Sequence, residues 1–337
     1  MKLALWHWHI EISSKCTLKC PRCAREEVPE SLINTELRLD FFKKNFTPEF
    51  IQDHVEKITF CGDDGDPIYA HDLIDVIGYF KSIKPVKFVI ITNGSYKKAE
   101  WWRDLGHALD EDDEIHFSLD GWDQDSNEQY RVNSDWESAV NGIKILRESS
   151  QVYMLWDAIA FKFNEGMLSH MQLMARRFGF DAFQLTRSTK FNKIYPVYPI
   201  NDPLQPRDNL ISETHRFERD IINLTDRRPS TVGQDSCENL YQNMKEYDSI
   251  KPLCSTGNKG LFINSQGKFF PCCWVANRYN HNNEWIDLAK NFDLKERTLS
   301  SVVMDDFWSS DFEIFPWEEC RNKCNASVVN HDYATKW

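Results

Sequence analysis

The stretch VKFVIIT (Val86–Thr92) is an almost unbroken run of β-branched and aromatic residues. A strand with one face in water alternates apolar and polar residues, whereas a strand covered on both faces stays apolar along its length. Strands covered on both faces are typical of parallel sheets that have helices packed against them. Val86–Thr92 therefore predicts a central strand of an α/β fold.

The segments around this strand alternate between strand and helix patterns. Further strands are predicted at Trp6–Ser13, Lys57–Cys61, Glu114–Leu119, Val152–Phe161 and Ala182–Thr186. Helical spacing is found at His71–Ile83, Lys97–Ala108, Trp136–Glu148 and Glu165–Phe178. Six strand-and-helix units are about two short of a closed eight-stranded barrel, so we expect a partial (β/α)6 TIM-like barrel. An open doubly wound sheet is the alternative.

Composition and charge exclude several classes of protein. The chain has 337 residues, which is too long for one small core, and a formal net charge of −12. The acidic balance disfavours a nucleic-acid partner, because phosphate binding needs clustered Lys and Arg. No signal peptide and no apolar run of about 18 residues are present, so we expect a cytoplasmic protein with no membrane partner. Ten cysteines in that compartment indicate metal or redox chemistry.

The pattern changes along the chain and predicts three regions. Residues 1–186 would form the barrel, and residues 187–250 a connecting segment that shapes the substrate pocket. That segment is rich in proline, and one helix is predicted at Ser212–Leu224. Residues 251–337 predict a small C-terminal domain built on a β-hairpin. The hairpin would pair Gly260–Ile263 with Lys268–Phe270 across a turn at Ser265–Gly267.

Three cysteines, Cys16, Cys20 and Cys23, follow the first predicted strand in SKCTLKCPRC (Ser14–Cys23). In parallel α/β folds, the loops after the strands carry the chemistry. A structural zinc site takes four ligands, whereas three cysteines on a [4Fe–4S] cluster would hold three irons and leave one open. An open iron is useful where a small molecule must be bound and reduced. A partial zinc site, or thiols without a metal, is the alternative.

The motif CTLKCPRC (Cys16–Cys23) at the end of a first strand resembles the radical S-adenosylmethionine (radical SAM) superfamily. The resemblance implies a [4Fe–4S] cluster on the three cysteines, with S-adenosyl-L-methionine (SAM) chelating the open iron through its methionine amino and carboxylate groups. In that family an electron from the cluster breaks the sulfonium C–S bond, and the 5′-deoxyadenosyl radical then abstracts hydrogen from the substrate. The cofactor supplies the chemistry, and the protein orients and shields it.

The resemblance also implies a loop that receives the methionine ammonium. The family has a GGEP-like stretch after its second strand, and here the second strand runs into CGDDGDP (61–67). Gly65, Asp66 and Pro67 match that stretch by position, while Asp64 replaces its first glycine. A plain turn before a helix is the alternative interpretation.

Four more residues match positions at which the family contacts SAM. Asn93 lies in a TNG stretch after the third strand, and Ser118, in SLDG, is a candidate for the ribose hydroxyls. Arg131 is a candidate for the methionine carboxylate, because a guanidinium pairs with a carboxylate in a fork. Arg22 stands where the family commonly has an aromatic residue, and its planar group would stack on adenine.

Cysteines near the C-terminus resemble the SPASM/twitch appendage of radical SAM enzymes. The resemblance implies an auxiliary [4Fe–4S] cluster, in the one-cluster twitch form, on Cys254, Cys272, Cys320 and Cys324. Cys273 could replace Cys272, and Cys237 is left over, so a second auxiliary cluster remains an alternative, as does zinc. Cys61 is interpreted as a buried thiol.

These expectations predict a radical SAM oxidoreductase that abstracts hydrogen from a small molecule or a peptide, with the auxiliary cluster assisting oxidation or binding. An electron donor such as flavodoxin or ferredoxin is the expected partner. Peptide maturases that resemble this chain often carry a leader-binding domain ahead of the barrel, and the 15 residues before Cys16 are too few for one. A small molecule or a free-standing peptide is therefore slightly favoured. The alternative is a non-catalytic iron–sulfur or zinc protein that transfers electrons or acts as a scaffold. The general base stays open among Asp120, Asp157, Lys162, Asn164 and His116.

Overall fold

The computed structural model describes residues 6–27, 29, 32–188, 202–207, 210, 212–217, 254, 260–276 and 292–303. These residues belong to two compact units. The first unit takes the described residues within 1–16, 21–91 and 244–337, and the second takes those within 17–20 and 92–243. Among the helices in these ranges, none has both the length and the apolar character of a membrane span.

Strands and helices alternate through most of the described chain. The strands are β1 (His7–Ile10), β2 (Lys57–Phe60), β3 (Lys87–Thr92), β4 (Glu114–Ser118), β5 (Tyr153–Ala160), β6 (Ala182–Arg187), β7 (Glu213–Arg216), β8 (Leu261–Ile263) and β9 (Phe269–Phe270). The helices are α1 (Ala24–Glu27), α2 (Leu39–Asn45), α3 (Pro48–His54), α4 (Leu73–Lys81), α5 (Ala99–Ala108), α6 (Gln124–Glu128), α7 (Trp136–Ser149), α8 (Leu168–Arg177) and α9 (Leu299–Val303). At least one helix separates each of β1 to β5 from the next strand, which is the alternation of a partial (β/α)6 TIM-like barrel.

The first unit is built on a sheet in the order β3-β2-β1-β8-β9. Strands β3, β2, β1 and β8 are parallel, and β9 returns antiparallel to β8. In the register, Trp8 of β1 lies beside Ile58 on one side and Leu261 on the other. The predicted C-terminal hairpin is thus confirmed, and it extends the same sheet as the first strand.

Aromatic side chains bind this sheet to its helices. Trp8, Phe60 and Phe88 are fully buried, and the Trp8 ring lies 5.3 Å from that of Phe46, at the end of α2. The rings of Phe60 and Phe88 stack 5.8 Å apart, and Phe80 of α4 lies 6.1 Å from Phe88. Because side chains alternate along a strand, the opposite face carries the residues between these aromatics.

The second unit pairs β4, β5 and β6 in parallel, and β7 runs antiparallel to β6. The predicted helix at Ser212–Leu224 is wrong in its described part, because Glu213–Arg216 is a strand paired with β6. Without β7, β6 would present a row of unpaired backbone groups, and this long-range pairing outweighs the local helical spacing. Residues 218–224 lie outside the described residues.

The other predicted strands and helices are confirmed, with ends shifted by a few residues. Helices α2 and α3 were not expected from the sequence. Thr47 accepts a hydrogen bond from the Phe50 amide and Pro48 opens α3, which is a recognisable start signal. The division at residues 186 and 250 stays a prediction. Cys237, Cys320 and Cys324 lie outside the described residues.

Candidate cofactor-binding site

Five residues separate the end of β1 from Cys16, the first cysteine of the three-cysteine loop. Cys20 is buried, while Cys16 and Cys23 are half-buried. Cys16 and Cys23 fall in the first unit and Cys20 in the second. No disulfide joins any two of the described cysteines. Across the described ranges, no three His, Cys, Asp or Glu side chains are already gathered in a group that could hold a metal ion.

The chemistry of this loop nevertheless suits an iron–sulfur cluster. Its candidate ligands are all thiols, the ligand type that such clusters take. The loop is also held against a glycine-containing segment at residues 62–66, which we call the ammonium loop after its predicted role. A Cβ added to Gly65 would lie 2.0 Å from the Ser13 carbonyl oxygen and 2.6 Å from Ser14. Only glycine permits this approach, so the two loops are built to touch.

Hydrogen bonds fix the ammonium loop to the start of the cysteine loop. The Asp66 amide donates to the Lys15 carbonyl over 3.0 Å. One guanidinium nitrogen of Arg25 donates to the carbonyls of both Ser14 and Asp64, the latter over 2.6 Å. The Cys23 thiol donates to the Asp63 carbonyl over 3.9 Å. These contacts place the predicted ammonium loop next to two of the three cysteines.

Asp66 and Pro67 start a short 3₁₀ helix at Pro67–Tyr69. The Asp66 carboxylate accepts the Ile68 amide over 3.1 Å and is buried. This carboxylate therefore has a structural role as a cap, and its predicted role toward an ammonium stays a prediction. Arg22 donates a long hydrogen bond, of 3.4 Å, to the Pro21 carbonyl. Its predicted stacking on adenine also stays a prediction.

In the second unit, the middle of the cysteine loop is bound to the segment that carries Arg131. The Lys19 amide donates to the Val132 carbonyl over 3.0 Å, and the Asn133 side chain donates to the Thr17 carbonyl over 2.7 Å. Asn133 has a positive φ of 66°, which asparagine tolerates better than most residues. This segment therefore positions both Cys20 and Arg131.

Arg131 forms a buried ion pair with Asp120 at the end of β4. Its Nε lies 2.6 Å from an Asp120 carboxylate oxygen, and the other oxygen accepts the Ile159 amide over 2.7 Å. Burial is the largest influence and works to lower the pKa of Arg131, but Asp120, Cys20 and Tyr130 together outweigh it and the pKa is raised. Burial raises the pKa of Asp120 despite the guanidinium. Arg131 is thus a fixed positive charge beside Cys20, and its contact with a methionine carboxylate stays a prediction.

The remaining predicted contacts lie at the carboxyl ends of β3 and β4. Asn93 is buried, and its side-chain oxygen accepts the Ser95 amide over 2.9 Å, which forms an Asx turn. The Ser95 hydroxyl accepts the amide of Asp135, at the start of α7. Ser118 is half-buried at the last position of β4 and lies beside Asp157 in the register. Their roles toward SAM stay predictions.

The candidates for a general base separate into two kinds. Asn164 is fully buried and donates to the carbonyls of Asp120 and Ile159, so it and Asp120 support the backbone. Asp157 is half-buried on β5 and accepts hydrogen bonds from Gln184 and Thr186, over 3.3 and 3.2 Å. A half-buried carboxylate beside the carboxyl end of the neighbouring strand β4 is the more suitable group to meet a substrate.

Sequence reasoning missed two residues that organise the site. One is Arg25, which carries no motif signal because its role depends on carbonyl positions. The other is Glu11, which is 2% exposed and lies in the strand-like alternation His7, His9, Glu11. An acid on the buried face of a strand was the available signal. Burial also raises the pKa of the Cys61 thiol well above its usual range, which fits a buried thiol.

Comparison with known proteins finds a family match in the first half of the chain. Residues 10–160 match the model of the radical SAM superfamily. This stretch holds the cysteine loop, the ammonium loop and the end of β5. This match confirms the resemblance found in the cysteine motif.

Individual relatives are more distant. The chain is 21% identical over 325 residues to the antilisterial bacteriocin subtilosin biosynthesis protein AlbA of Bacillus subtilis (strain 168), covering 95% of this chain and 65% of AlbA. The chain thus spans less than two thirds of this relative's length. Crystal structures of Streptococcus suis SuiB match in fold: the complex with S-adenosylmethionine has a TM-score of 0.57 at 13% identity, over 90% of this chain and 69% of SuiB. The complex with precursor peptide SuiA has a TM-score of 0.54 at 13% identity, over 90% and 68%.

Proposed function

We propose that this chain is a radical SAM enzyme that modifies a peptide and carries an auxiliary iron–sulfur cluster in its C-terminal part. The observation that carries the proposal is the cysteine loop, which is held by backbone hydrogen bonds and glycine contact against the ammonium loop in a radical SAM domain. The peptide substrate is supported by AlbA, a bacteriocin biosynthesis protein, and by SuiB, which binds a precursor peptide. These relatives favour a peptide over the small molecule that the sequence left open.

Cys16, Cys20 and Cys23 would hold a [4Fe–4S] cluster. With SAM bound, a cluster held there would provide one-electron reduction of the sulfonium, the chemistry by which this family makes methionine and a radical that takes hydrogen from a substrate C–H bond. The carbonyl groups and acid of the ammonium loop suit a methionine ammonium, because an ammonium needs only acceptors. Arg131 supplies a fixed positive charge beside Cys20, and a guanidinium suits the methionine carboxylate.

The chain's other residues would exclude water and fix orientation. The buried Asp120–Arg131 pair and the Asx turn at Asn93 hold loop backbones still, so the ligands they present are preorganised. Asp157, beside Ser118, is our candidate to hold or accept a substrate proton. Cys254 and Cys272, both buried, are the described candidates for the auxiliary cluster.

The proposal predicts cleavage of SAM by the reduced protein. Anaerobically reconstituted protein, reduced with dithionite, should convert SAM into methionine and 5′-deoxyadenosine, measured by liquid chromatography and mass spectrometry. Cys20→Ser should lower this rate at least ~100-fold, because loss of a metal ligand exceeds the effect of losing its supporting groups. Cys61→Ser, a buried thiol outside the motif, is the matched control and should retain the rate.

The substrate class is tested in the same assay. Short peptides encoded beside the gene should increase 5′-deoxyadenosine formation and change in mass themselves. If the fully iron-loaded protein cleaves no SAM, the non-catalytic alternative of an electron carrier or scaffold replaces this proposal. If SAM is cleaved but no peptide is altered while a small molecule is, the enzyme class stands and the peptide assignment is wrong.

A further inference from the structure

Glu11 is a buried acid that none of the cosubstrate motifs uses. It lies one residue beyond β1 and is only 2% exposed. Side chains alternate along a strand, so Glu11 shares a face with His7 and His9, opposite the helix-facing Trp8. A carboxyl group in such a place needs hydrogen-bond partners, because burial without them is costly.

The two carboxyl oxygens of Glu11 reach two different loops of the first unit. Oε1 accepts the amide of Asp64, in the ammonium loop, over 2.7 Å. Oε2 accepts the amide of Ser265, in the turn between β8 and β9, over 3.3 Å. The Glu11 backbone amide also donates to the carbonyl of Ile263, at the end of β8, over 2.9 Å. One residue is therefore bonded to both loops at once.

The ammonium loop is shaped around this carboxyl group. A Cβ added to Gly62 would lie 2.8 Å from Glu11 Oε1, so glycine is required for the approach. Both backbone polar groups of Asp64 are held: its amide donates to Glu11, and its carbonyl accepts from Arg25. A shift of Asp64 would thus break a bond to a buried acceptor.

The hairpin at the other oxygen leads directly to the C-terminal cysteines. Phe262 of β8 packs in one buried cluster with Phe270, Cys272 and Cys273. The Asn264 side chain closes the turn by accepting the amide of Lys268 over 2.9 Å. The hairpin is therefore expected to move as one element, so a displacement near Cys272 would also displace Ser265.

We propose that Glu11 is a positioning residue that couples the ammonium loop at residues 62–66 to the C-terminal hairpin at residues 261–270. The arrangement of the SAM site would then depend on the segment that carries Cys272, and the reverse would hold equally, since coupling between two sites is reciprocal. The link between the loops needs only the hydrogen bonds above. Its meaning for SAM rests on the proposed function.

Hydrogen exchange with mass spectrometry tests the link without any turnover. In the full-length, anaerobically reconstituted protein without SAM, Glu11→Ala should speed exchange at least ~10-fold in peptides covering Asp64 and, together with them, Ser265, because both amides lose their acceptor. Asp181→Asn is the matched control, a buried acid that accepts the Met154 amide over 2.7 Å. It should leave both segments unchanged.

Adding SAM tests whether an effect of SAM on the ammonium loop reaches the C-terminal hairpin. In the wild type, SAM should protect residues 62–66 and also residues 261–270. Glu11→Gln keeps one carbonyl acceptor for the shorter bond to Asp64 but turns an NH2 donor toward the Ser265 amide. This variant should keep SAM-induced protection at 62–66 and lose it at 261–270, and it serves as the test if Glu11→Ala does not fold.

The outcomes separate this proposal from the proposed function. If Glu11→Ala alters only one segment without SAM, or if SAM protects the hairpin equally in wild type and Glu11→Gln, the coupling is refuted. If the wild type binds no SAM, the proposed function fails, and the exchange experiment without SAM still decides whether Glu11 links the loops.

Discussion

Single residues in this site act mainly by holding backbone groups in place. The Asp64 amide donates a hydrogen bond to Glu11, and the Asp64 carbonyl accepts one from Arg25. The Asp66 carboxylate caps the short 3₁₀ helix that follows it. The chemistry expected of the ammonium loop thus depends in part on Glu11 and Arg25, which hold its backbone. Preorganised groups of this kind cost no reorganisation when a charged ligand arrives.

Glu11 should make the stability of the fold depend on pH. Burial, with Asp64 and Asp63 nearby, raises the pKa of its carboxyl group from 4.5 to about 8. The folded state therefore keeps the proton more tightly than the unfolded state. Its stabilising effect is complete below pH 4.5 and is lost progressively as pH rises to about 8.

The measurement compares wild type with Glu11→Gln, which does not titrate. Each pKa unit corresponds to about 1.4 kcal/mol, so wild type should lose roughly 2–3 kcal/mol relative to the variant between about pH 5.5 and about pH 7.5. Urea unfolding at the two pH values gives this difference, and all other titrating groups are common to both proteins. If the free energy of unfolding changes equally with pH in both proteins, Glu11 is already ionised in the folded state.

The cysteine trio and Glu11 differ in how far they could be predicted. Cys16, Cys20 and Cys23 lie within eight residues, so their spacing alone indicates a shared ligand. Glu11 gains its role from amides 53 and 254 residues away in sequence. A local sequence pattern does not indicate contacts over such distances in sequence. The available signal was an acidic residue within the strand-like alternation of His7, His9 and Glu11.

Among the elements, strands covered on both faces were the most predictable, because their apolar runs are set by burial. The segment Glu213–Arg216 was not, since its pairing with β6 is a long-range contact that overrides local helical spacing. Helices α2 and α3 fall between these cases. Thr47 and Pro48 signal the start of α3, but the segment is too short for a clear period.

The glycines of two elements should respond oppositely to the same substitution. Gly65→Ala would force a Cβ to within 2.0 Å of the Ser13 carbonyl, so the ammonium loop must move away and the fold should lose about 1–3 kcal/mol. Gly78→Ala is the matched control, because nothing lies within 4 Å of its added Cβ in α4. It should gain about 0.5–1 kcal/mol from helix propensity.

Urea unfolding and SAM affinity check both glycine variants. Gly65→Ala should weaken SAM binding as well as stability, whereas Gly78→Ala should leave binding unchanged. An equal affinity in Gly65→Ala and wild type would mean that the close approach of the two loops has no part in binding the cosubstrate.

Across the chain, the two ends of the first unit meet in one sheet, because β1 pairs with β8. The hairpin predicted from residues 260–270 was correct, yet its pairing partner could not be foreseen from local pattern. This pairing brings the segment with Cys272 into the same unit as Cys16 and Cys23.

Iron content tests whether the chain holds two clusters. Fully reconstituted protein should bind about eight iron atoms, four in each [4Fe–4S] cluster. Cys16→Ser and Cys272→Ser should each remove about four, from different clusters, because a cluster that loses a thiolate ligand is destabilised. Cys273→Ser distinguishes the neighbouring thiols, and Cys61→Ser is the buried-thiol control that should retain all the iron.

Iron analysis with Mössbauer spectroscopy reports both the number of iron atoms and the type of cluster. Unchanged iron in Cys272→Ser together with loss in Cys273→Ser would move the ligand by one residue. Full retention in both would remove this hairpin from the auxiliary site.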